Sequence, residues 1–496
     1  MEKSGRAARS NAAKIPVKSL RQTLVWPFIL SGSNQEKSWY NKLLEKFEAT
    51  GWRKVEDPLD LIPADEISGP YEEAVYFHDF VRSGLYQRSE QGRMWVLQRF
   101  GTSTFEACID SEWRQFRLEC VAMHIYAAGT AVLTLDLAYA GEPLTLAQTQ
   151  NIIDALRRAY PPFWDAPGKP GYSPSAVRIG KTFCALGPLR NRAAATKALR
   201  RKVDLSEPLF SWWQHLIAPL PVAGTPSAQP DKPHFRQVFD ERIPLITTVS
   251  LSREDGSTAD LERVSNGDWF RLAAADPSGN DPFPYNPDFL DTQRGVLFYD
   301  RHAPHPDASR TGATRFMFAG YHFAAVGAGW FFDTVITSHM RRHYRQMMHI
   351  CLLEFAVLLR LSDQLSRAAR MHEECGQDQV FRGAVIDIER EFLDFTHTYR
   401  FTGVSNQLQA REMFDRMRAS MGLEALYADI KSELESAAQL ALSLDQRDAA
   451  KAAAEAANNT EALTGVATVV AVVGLTVGAG GMNILIGPSI AEWANS

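Results

Sequence analysis

The chain has 496 residues, of which 45% are hydrophobic and 22% are charged, and its formal net charge is -5 at pH 7. This balance is typical of folded globular proteins and excludes wholesale disorder. It gives no indication of nucleic-acid binding, because the chain carries no basic excess. A chain of this length is too long for one ordinary core, so two or three structural units are expected.

The N-terminal residues, 1–23, are basic and contain no apolar run. This pattern predicts a flexible arm and not a secretory signal. The five cysteines are scattered and form no CxxC pair. They therefore indicate neither a disulfide framework nor a zinc site, and a reducing compartment is the simplest interpretation.

Residues 24–329 are interpreted as a cytosolic α/β sheet domain, with a Pro-rich linker at 218–233. The clearest signal is at 116–139, which predicts two strands joined by a turn at Ala127, Ala128 and Gly129. The sequence predicts further elements as follows: a helix within 144–160, and strands within 243–251, 295–300 and 313–327. Trp212 and Trp213 precede the linker, and aromatic core packing is favoured for them over a ligand platform.

From residue 334 the strand-like pattern gives way to a helical one, and residues 334–460 predict a helical bundle and stalk. Residues 334–375 contain neither Gly nor Pro and predict one long helix. A second helix is expected over 379–399, and a third from about Ser405 with no obvious stop. In this third segment apolar residues recur at alternating spacings of four and three, which predicts a heptad seam: Leu423, Tyr427, Ile430, Leu434, Ala437, Ala441 and Leu444.

The C-terminal region carries thirty residues without a charge, 462–491 (491 − 462 + 1). A membrane span needs about 20 apolar residues, so one transmembrane helix is predicted at 461–487, followed by a short tail, 488–496. The alternative is a buried hairpin or core helix. Gly474 and Gly478 form a small-xxx-small pair that favours close packing of neighbouring transmembrane helices. The positive charges of Arg447 and Lys451 before the span predict an inner-membrane protein with its bulk in the cytosol.

The apolar segment ends in Gly481, Met482 and Asn483, after an apparently continuous helix. In this respect the chain resembles the CorA superfamily of divalent-cation channels, which combine a cytosolic α/β domain, a helical bundle and a long last helix ending in Gly-Met-Asn. The chain departs from the family in having Gly480 where a Tyr usually stands. It also has too few residues after the motif for the family's second transmembrane helix.

The resemblance implies a homo-oligomer of five copies that conducts a divalent cation such as Mg²⁺. Gly481, Met482 and Asn483 would then form the ion-selectivity motif, with Asn483 at the outer mouth of the pore. Helical spacing adds Val469, Val472 and Thr476 to the face of Asn483, which predicts that they line the pore. Overall, the sequence predicts an α+β membrane protein with a sheet domain, a helical stalk and a single C-terminal transmembrane helix.

Two functions stay open at this stage. The first is a CorA-like channel that conducts or gates divalent cations. The second is a membrane-anchored sensor or effector, such as one acting in bacterial defence against phage, that perturbs the membrane without selective transport. Neither requires a catalytic residue or a cofactor, and no enzyme motif is found; the expected partners are the lipid bilayer and further copies of the chain, with an unknown cytosolic trigger. The metal ligands are unknown, since the pair His339 and His343 is flanked by Arg341 and Arg342, which repel cations.

Overall fold

A computed structural model of the chain describes residues 11–31, 37–65, 69–86, 94–99, 104–160, 173–185, 192–193, 196–197, 209–219, 234–253, 261–280, 283–302 and 313–485. The chain divides into two compact units. Unit 1 comprises Met1–Asp363 and Arg390–Ile430, and unit 2 comprises Gln364–Glu389 and Lys431–Ser496. Of the predicted linker, 218–233, only residues 218 and 219 are among the described residues. A strand begins directly after it, at His234.

Unit 1 is built on a mixed sheet, and the described strands are numbered in chain order. They are β1 (Pro16–Ser31), β2 (Trp52–Val55), β3 (Met94–Arg99), β4 (Thr104–Ile109), β5 (Glu112–Tyr126), β6 (Thr130–Tyr139), β7 (Leu144–Thr145), β8 (Ala176–Ile179), β9 (Thr182–Ala185), β10 (His234–Gln237), β11 (Leu245–Leu251), β12 (Phe298–His302), β13 (Thr314–Ala319) and β14 (His322–Gly327). The main order is β12-β13-β14-β11-β1-β6-β5-β4-β8-β9. Among these strands, β11 and β14 pair in parallel, and every other pairing is antiparallel.

The described helices are also numbered in chain order. They are α1 (Lys37–Glu48), α2 (Pro70–Tyr76), α3 (Asp79–Leu85), α4 (Leu146–Leu156), α5 (Ser211–Ile217), α6 (Asn266–Ala274), α7 (Pro287–Leu297), α8 (Thr337–Arg341), α9 (His343–Cys375), α10 (Asp378–Thr398), α11 (Leu408–Ser420) and α12 (Leu423–Leu485). The predicted hairpin is confirmed by β5 and β6, and the predicted helix after it is confirmed by α4.

Strand β1 includes residues 16–23, which the sequence analysis placed in a flexible arm. Its two neighbours explain the difference, because β1 pairs with β6 along one edge and with β11 and β10 along the other. The basic residues of the segment also find acidic partners. Lys18 lies 2.6 Å from a carboxylate oxygen of Asp333, and Arg21 lies 2.6 Å from one of Glu119.

The first face of the sheet is closed by apolar packing. Alternate side chains of a strand share a face, and on this face β1 contributes Leu24, Trp26 and Phe28 to a core cluster. Helices α4, α5 and α6 supply the other side of that cluster. Trp213 of α5 makes an edge contact with Trp26 at 5.8 Å between ring centroids, which confirms aromatic core packing over a ligand platform.

Two of the predicted long helices are interrupted. The first has a π-helical turn at Phe332–Ile336 and breaks between α8 and α9 at Arg342, whose φ of -117° and ψ of -107° are not helical. The expected helix from Ser405 breaks between α11 and α12 at Gly422, whose φ is +67°. Glycine adopts this left-handed conformation without strain, so it ends helices readily.

The predicted heptad seam is confirmed by burial within each unit. Leu423 and Ile430 are buried in unit 1, whereas Leu434, Ala441 and Leu444 are buried in unit 2. In unit 2, buried side chains from α9 and α10 are also apolar, namely Leu365, Ala368, Phe381, Val385 and Ile388. Helix-on-helix packing of this kind is what the heptad spacing indicates.

The predicted fold class, a membrane protein with a single transmembrane helix at 461–487, is wrong. No helix in the described part of the chain is both long and apolar enough to cross a membrane. Polar residues stand directly before the apolar run of α12, namely Glu455, Asn458, Asn459 and Glu461.

Candidate functional site

The second face of the sheet is covered by the start of α9, and part of it carries polar side chains. Strand β5 contributes Cys120 and His124 to this face, and β6 contributes Thr134 and Asp136. From the helical side, Arg345 and His349 point toward the same strands. We call these six residues, together with Arg21, Glu119, Tyr126 and Arg341, the polar layer.

One half of the polar layer is a paired charge network. Arg21 donates to both carboxylate oxygens of Glu119, at 2.6 and 2.9 Å, and Arg341 donates to Glu119 at 2.9 Å. Thr23 donates to Asp136 at 3.0 Å, and Arg21 lies 3.9 Å from the same carboxylate. Burial raises the pKa of Glu119, but these guanidinium groups and Arg117 outweigh it and hold the pKa at about 2.

The other half of the polar layer surrounds a small cavity of about 20 Å³. Its polar lining comprises Tyr86, Cys120, His124, Thr134, Arg345, Gln346 and His349. A cavity needs about 10–15 Å³ to hold one water molecule. This cavity therefore has room for a water molecule or a group of similar size.

Arg345 is the unusual member of this lining. Its side chain is buried, with 6% of the residue exposed. It nevertheless makes no hydrogen bond and no ion pair to any residue that the structure describes. Buried charges are normally paired, because removing a charge from water costs far more than removing a neutral group.

Two histidines lie side by side next to Arg345. The imidazoles of His124 and His349 have centroids 4.6 Å apart, and Nε2 of His349 lies 2.7 Å from the hydroxyl of Tyr126. Nδ1 of His124 is buried without a hydrogen-bond partner in the described chain. Burial, together with the charge of Arg345, lowers the pKa of His124 to about 3 and that of His349 well below its usual value.

A carboxylate lies beyond Tyr86, but it is already bonded. Oε1 of Glu73 accepts a 2.8 Å hydrogen bond from Tyr86, and Oε2 lies 3.1 Å from Nδ1 of His343. Glu73 itself is fully buried. Burial, with the neighbouring charge of Glu73, raises the pKa of Tyr86 well above its usual value, so the hydroxyl keeps its proton. Glu73 therefore holds Tyr86 at the cavity and does not pair with Arg345.

The chemistry of the cavity fits binding better than catalysis. Burial raises the pKa of Cys120 to about 11, so its sulfur is a thiol at neutral pH and a poor nucleophile. The histidines are neutral and too weakly basic to serve as efficient acid–base groups near pH 7. What the cavity offers is one cation, hydroxyl groups and neutral imidazoles.

The described residues contain no group of three or more His, Cys, Asp or Glu side chains placed to hold a metal ion. The rings of His339 and His343 approach to 4.4 Å between centroids. However, His343 is bonded to Glu73 and stacks on Tyr76. The metal ligands thus stay unassigned.

The residues predicted from the resemblance lie on α12, away from the polar layer in sequence. Val469 and Val472 are exposed, with 62% and 56% of each residue accessible. The backbone of the following residues is helical: Gly474, Thr476, Gly478, Gly481, Met482 and Asn483. Their roles as pore lining, packing pair and selectivity motif stay predictions.

Sequence reasoning missed the cavity, although two signals were present. Arg341, Arg345 and His349 recur every four residues, which places polar groups on one face of a helix that is otherwise apolar. On β5 the alternate positions Cys120, Ala122, His124 and Tyr126 share a face with few purely aliphatic side chains. What the sequence does not reveal is that these two rows meet.

Comparison of the chain with models of protein families, with curated proteins and with solved structures found no match. The resemblance to CorA channels therefore stays a prediction.

Proposed function

We propose that this protein is a ligand-responsive sensor, in which unit 1 recognises a small trigger molecule in the cavity beside Arg345. The observation that carries the proposal is the buried Arg345 guanidinium, which faces a cavity and has no partner in the described chain. The proposed function corresponds to the second function predicted from the sequence, a sensor or effector, but it does not include a membrane anchor.

The contrast between the two faces of the sheet supports a functional reason for the polar layer. The first face is closed mainly by aliphatic and aromatic packing, and the buried charges of its helices are paired, as Arg158 is with Asp154 and Arg271 with Asp268. Well-packed hydrophobic residues often stabilise a protein as much as buried ion pairs do, or more. A buried Arg without a carboxylate is therefore costly for folding, and a ligand that offsets the cost would explain its presence.

A binding role fits the cavity better than an enzymatic one. Its thiol is protonated and its histidines are neutral, so none of them is prepared to attack a substrate or to exchange a proton at neutral pH. The cation-channel function stays a prediction. The sensor proposal does not depend on it.

Helix α12 suggests an output for such a sensor. Several apolar side chains near its described end are exposed: Leu463, Val466, Val469, Val470 and Val472. Val469 and Val472 follow the buried Ala441 and Leu444 by 28 residues each (469 − 441 and 472 − 444), which is four heptads. Because the same register packs helix against helix in unit 2, we propose that further copies of α12 cover this surface.

The proposal is tested by screening the full-length protein against a library of metabolites, nucleotides and small ions, with the melting temperature as readout. A specific ligand at a hundredfold excess over its Kd stabilises the folded state by about 2.7 kcal/mol. The variant Ala122→Leu enlarges a side chain that lines the cavity and should abolish the response. The variant Ala140→Leu makes the same change at an exposed position and should respond like the wild type.

If no compound stabilises the protein saturably, the sensor function is refuted. It is also refuted if Ala122→Leu, once shown to be folded by circular dichroism, responds to every ligand as strongly as the wild type.

A further inference from the structure

The charge balance of the polar layer indicates what kind of ligand the cavity accepts. Three guanidinium groups, those of Arg21, Arg341 and Arg345, stand against two carboxylates, those of Glu119 and Asp136. Both carboxylates already accept bonds from Arg21, Arg341 or Thr23. The other charged groups nearby also have partners, since Arg117 bonds Glu119 and Glu73 bonds Tyr86 and His343. Arg345 takes part in none of these bonds, and its positive charge is the one at the cavity.

The groups around Arg345 suit an anion in other respects. Thr134 carries a hydroxyl group that can donate a hydrogen bond, and Gln346 lines the cavity with its amide, whereas the hydroxyl of Tyr86 already donates to Glu73. The neutral imidazoles add no second positive charge, because their pKa values are lowered by burial and by Arg345. A single negative charge is therefore sufficient to balance the site.

The size of the cavity limits the ligand further. A volume of about 20 Å³ suits a halide or a head group of three or four atoms such as a carboxylate, so the remainder of a larger ligand has to extend out of the cavity. Pro58, Leu61 and Leu85 form an apolar part of the lining. An alkyl chain attached to a carboxylate could lie against these residues.

We propose that the cavity is a binding site for a small monoanion, held by the guanidinium of Arg345, the hydroxyl group of Thr134 and the side-chain amide of Gln346. The proposal rests on the sensor function and specifies the chemical class of its trigger. The monoanion is either a free ion or the carboxylate of a larger apolar acid.

The experiment measures the melting temperature of the full-length protein during titration with sodium formate, nitrate, bromide and hexanoate at constant ionic strength. Saturable stabilisation by at least one of them is expected. Arg345→Met should weaken the apparent affinity roughly 10- to 100-fold, as expected for the loss of a charged hydrogen bond. Arg345→Lys should retain part of the affinity.

Two further variants separate binding from folding. Thr134→Val keeps the shape of the side chain, removes one hydroxyl donor and should weaken binding even if Arg345→Met does not fold. Arg370→Met removes an exposed arginine from the same helix and should bind like the wild type. Tighter binding of formate or nitrate than of hexanoate identifies a free ion, whereas the reverse order identifies the carboxylate of a larger acid.

The inference is overturned if none of the four anions stabilises the wild type saturably, or if Arg345→Met and Thr134→Val both respond like the wild type. A neutral compound from the library that binds when these anions do not would overturn the anion site and leave the sensor function intact. A failure of the whole library would overturn both.

Discussion

Glu354 of α9 and Arg418 of α11 form a buried ion pair within unit 1, although they are 64 residues apart in the chain. Both nitrogens of the guanidinium donate to the carboxylate, one of them at 3.0 Å, and Glu354 is fully buried. Arg418 also reaches Glu424 at 2.6 Å, just after the break at Gly422. This contact fixes the start of α12 against α11 and α9.

Removing one partner of this pair should destabilise unit 1 strongly. Without Arg418, Glu354 keeps only the longer contact to Arg400, whose Nε lies 3.4 Å from the carboxylate. The cost is therefore at most about 3–5 kcal/mol, the cost of a fully unpaired buried charge. We expect Arg418→Met to show this loss in urea unfolding followed by tryptophan fluorescence. The double variant Glu354→Met with Arg418→Met should recover much of it, because no unpaired charge is left. A double variant less stable than the two single changes added together would contradict this account.

Two glycines offer a matched test of backbone conformation. Gly422 has a φ of +67°, and Gly383 lies inside α10 with an ordinary helical conformation; a Cβ at either position would meet nothing within 4 Å. Gly422→Ala should therefore destabilise the protein by about 1–2 kcal/mol, because the left-handed conformation is strained for alanine. Gly383→Ala should stabilise it by about 0.5–1 kcal/mol. Chemical denaturation measures the change in the free energy of unfolding for both variants. Equal changes would show that the left-handed conformation of Gly422 imposes no strain on an alanine.

The neutral histidines predict a dependence of stability on pH. The folded-state pKa of His124 is about 3, below the usual value of 6.5, so the unfolded chain binds a proton that the folded chain does not. Stability is therefore fully present above about pH 6.5 and is lost as the pH falls toward 3. The loss is at most about 1.4 kcal/mol per pH unit for each such histidine.

Urea unfolding at several pH values between 7 and 4 tests this prediction. His124→Asn should reduce the slope of stability against pH, whereas His397→Asn, at an exposed position of α10, should leave it unchanged. An identical slope for His124→Asn and the wild type would show that His124 is not held neutral in the folded protein.

The exposed valines of α12 predict self-association. In light scattering after size-exclusion chromatography, the wild type should have a molar mass several times that of one chain. The double change Val469→Asp with Val472→Asp places charges on the apolar face and should shift the protein to smaller species. Ala453→Asp with Ala456→Asp adds the same charges to an exposed, less apolar part of the helix and should have a smaller effect. A monomeric wild type would contradict the prediction.

The elements that the sequence predicted correctly have local signals. The hairpin of β5 and β6 follows from alternating apolar residues around Gly129, and α4 follows from its periodicity and from the Thr145 cap, whose side chain accepts from the backbone of Gln148. The break at Gly422 also has a local cause, a glycine, but the helical pattern on either side concealed it. The break at Arg342 has a cause that is distant in the chain, because the guanidinium of Arg342 donates to Asp65 at 2.8 Å, 277 residues earlier.

The polar layer could not be predicted either, because it depends on contacts between residues that are distant in the chain. Tyr86, His124 and Arg345 are brought together by pairing of β5 within the sheet and by docking of α9, neither of which leaves a pattern in adjacent residues. For the apolar C-terminal stretch, in contrast, the sequence predicted a feature that the structure does not show. Its composition was interpreted as a membrane span, but no helix in the part of the chain that the structure describes is long and apolar enough to cross a membrane.

The position of β1 in the sheet has a consequence for how the polypeptide is made. This strand leaves the ribosome early, yet one of its edges pairs with β11, whose Leu251 is the partner of Val17, 234 residues later (251 − 17). The parallel neighbour of β11, β14, is translated later still. Contacts between such distant segments form slowly and expose apolar surface in the meantime. Nascent chains that stop before about residue 251 should accordingly bind chaperones and be cut by proteases along β1, and resistance should appear once β11 has emerged.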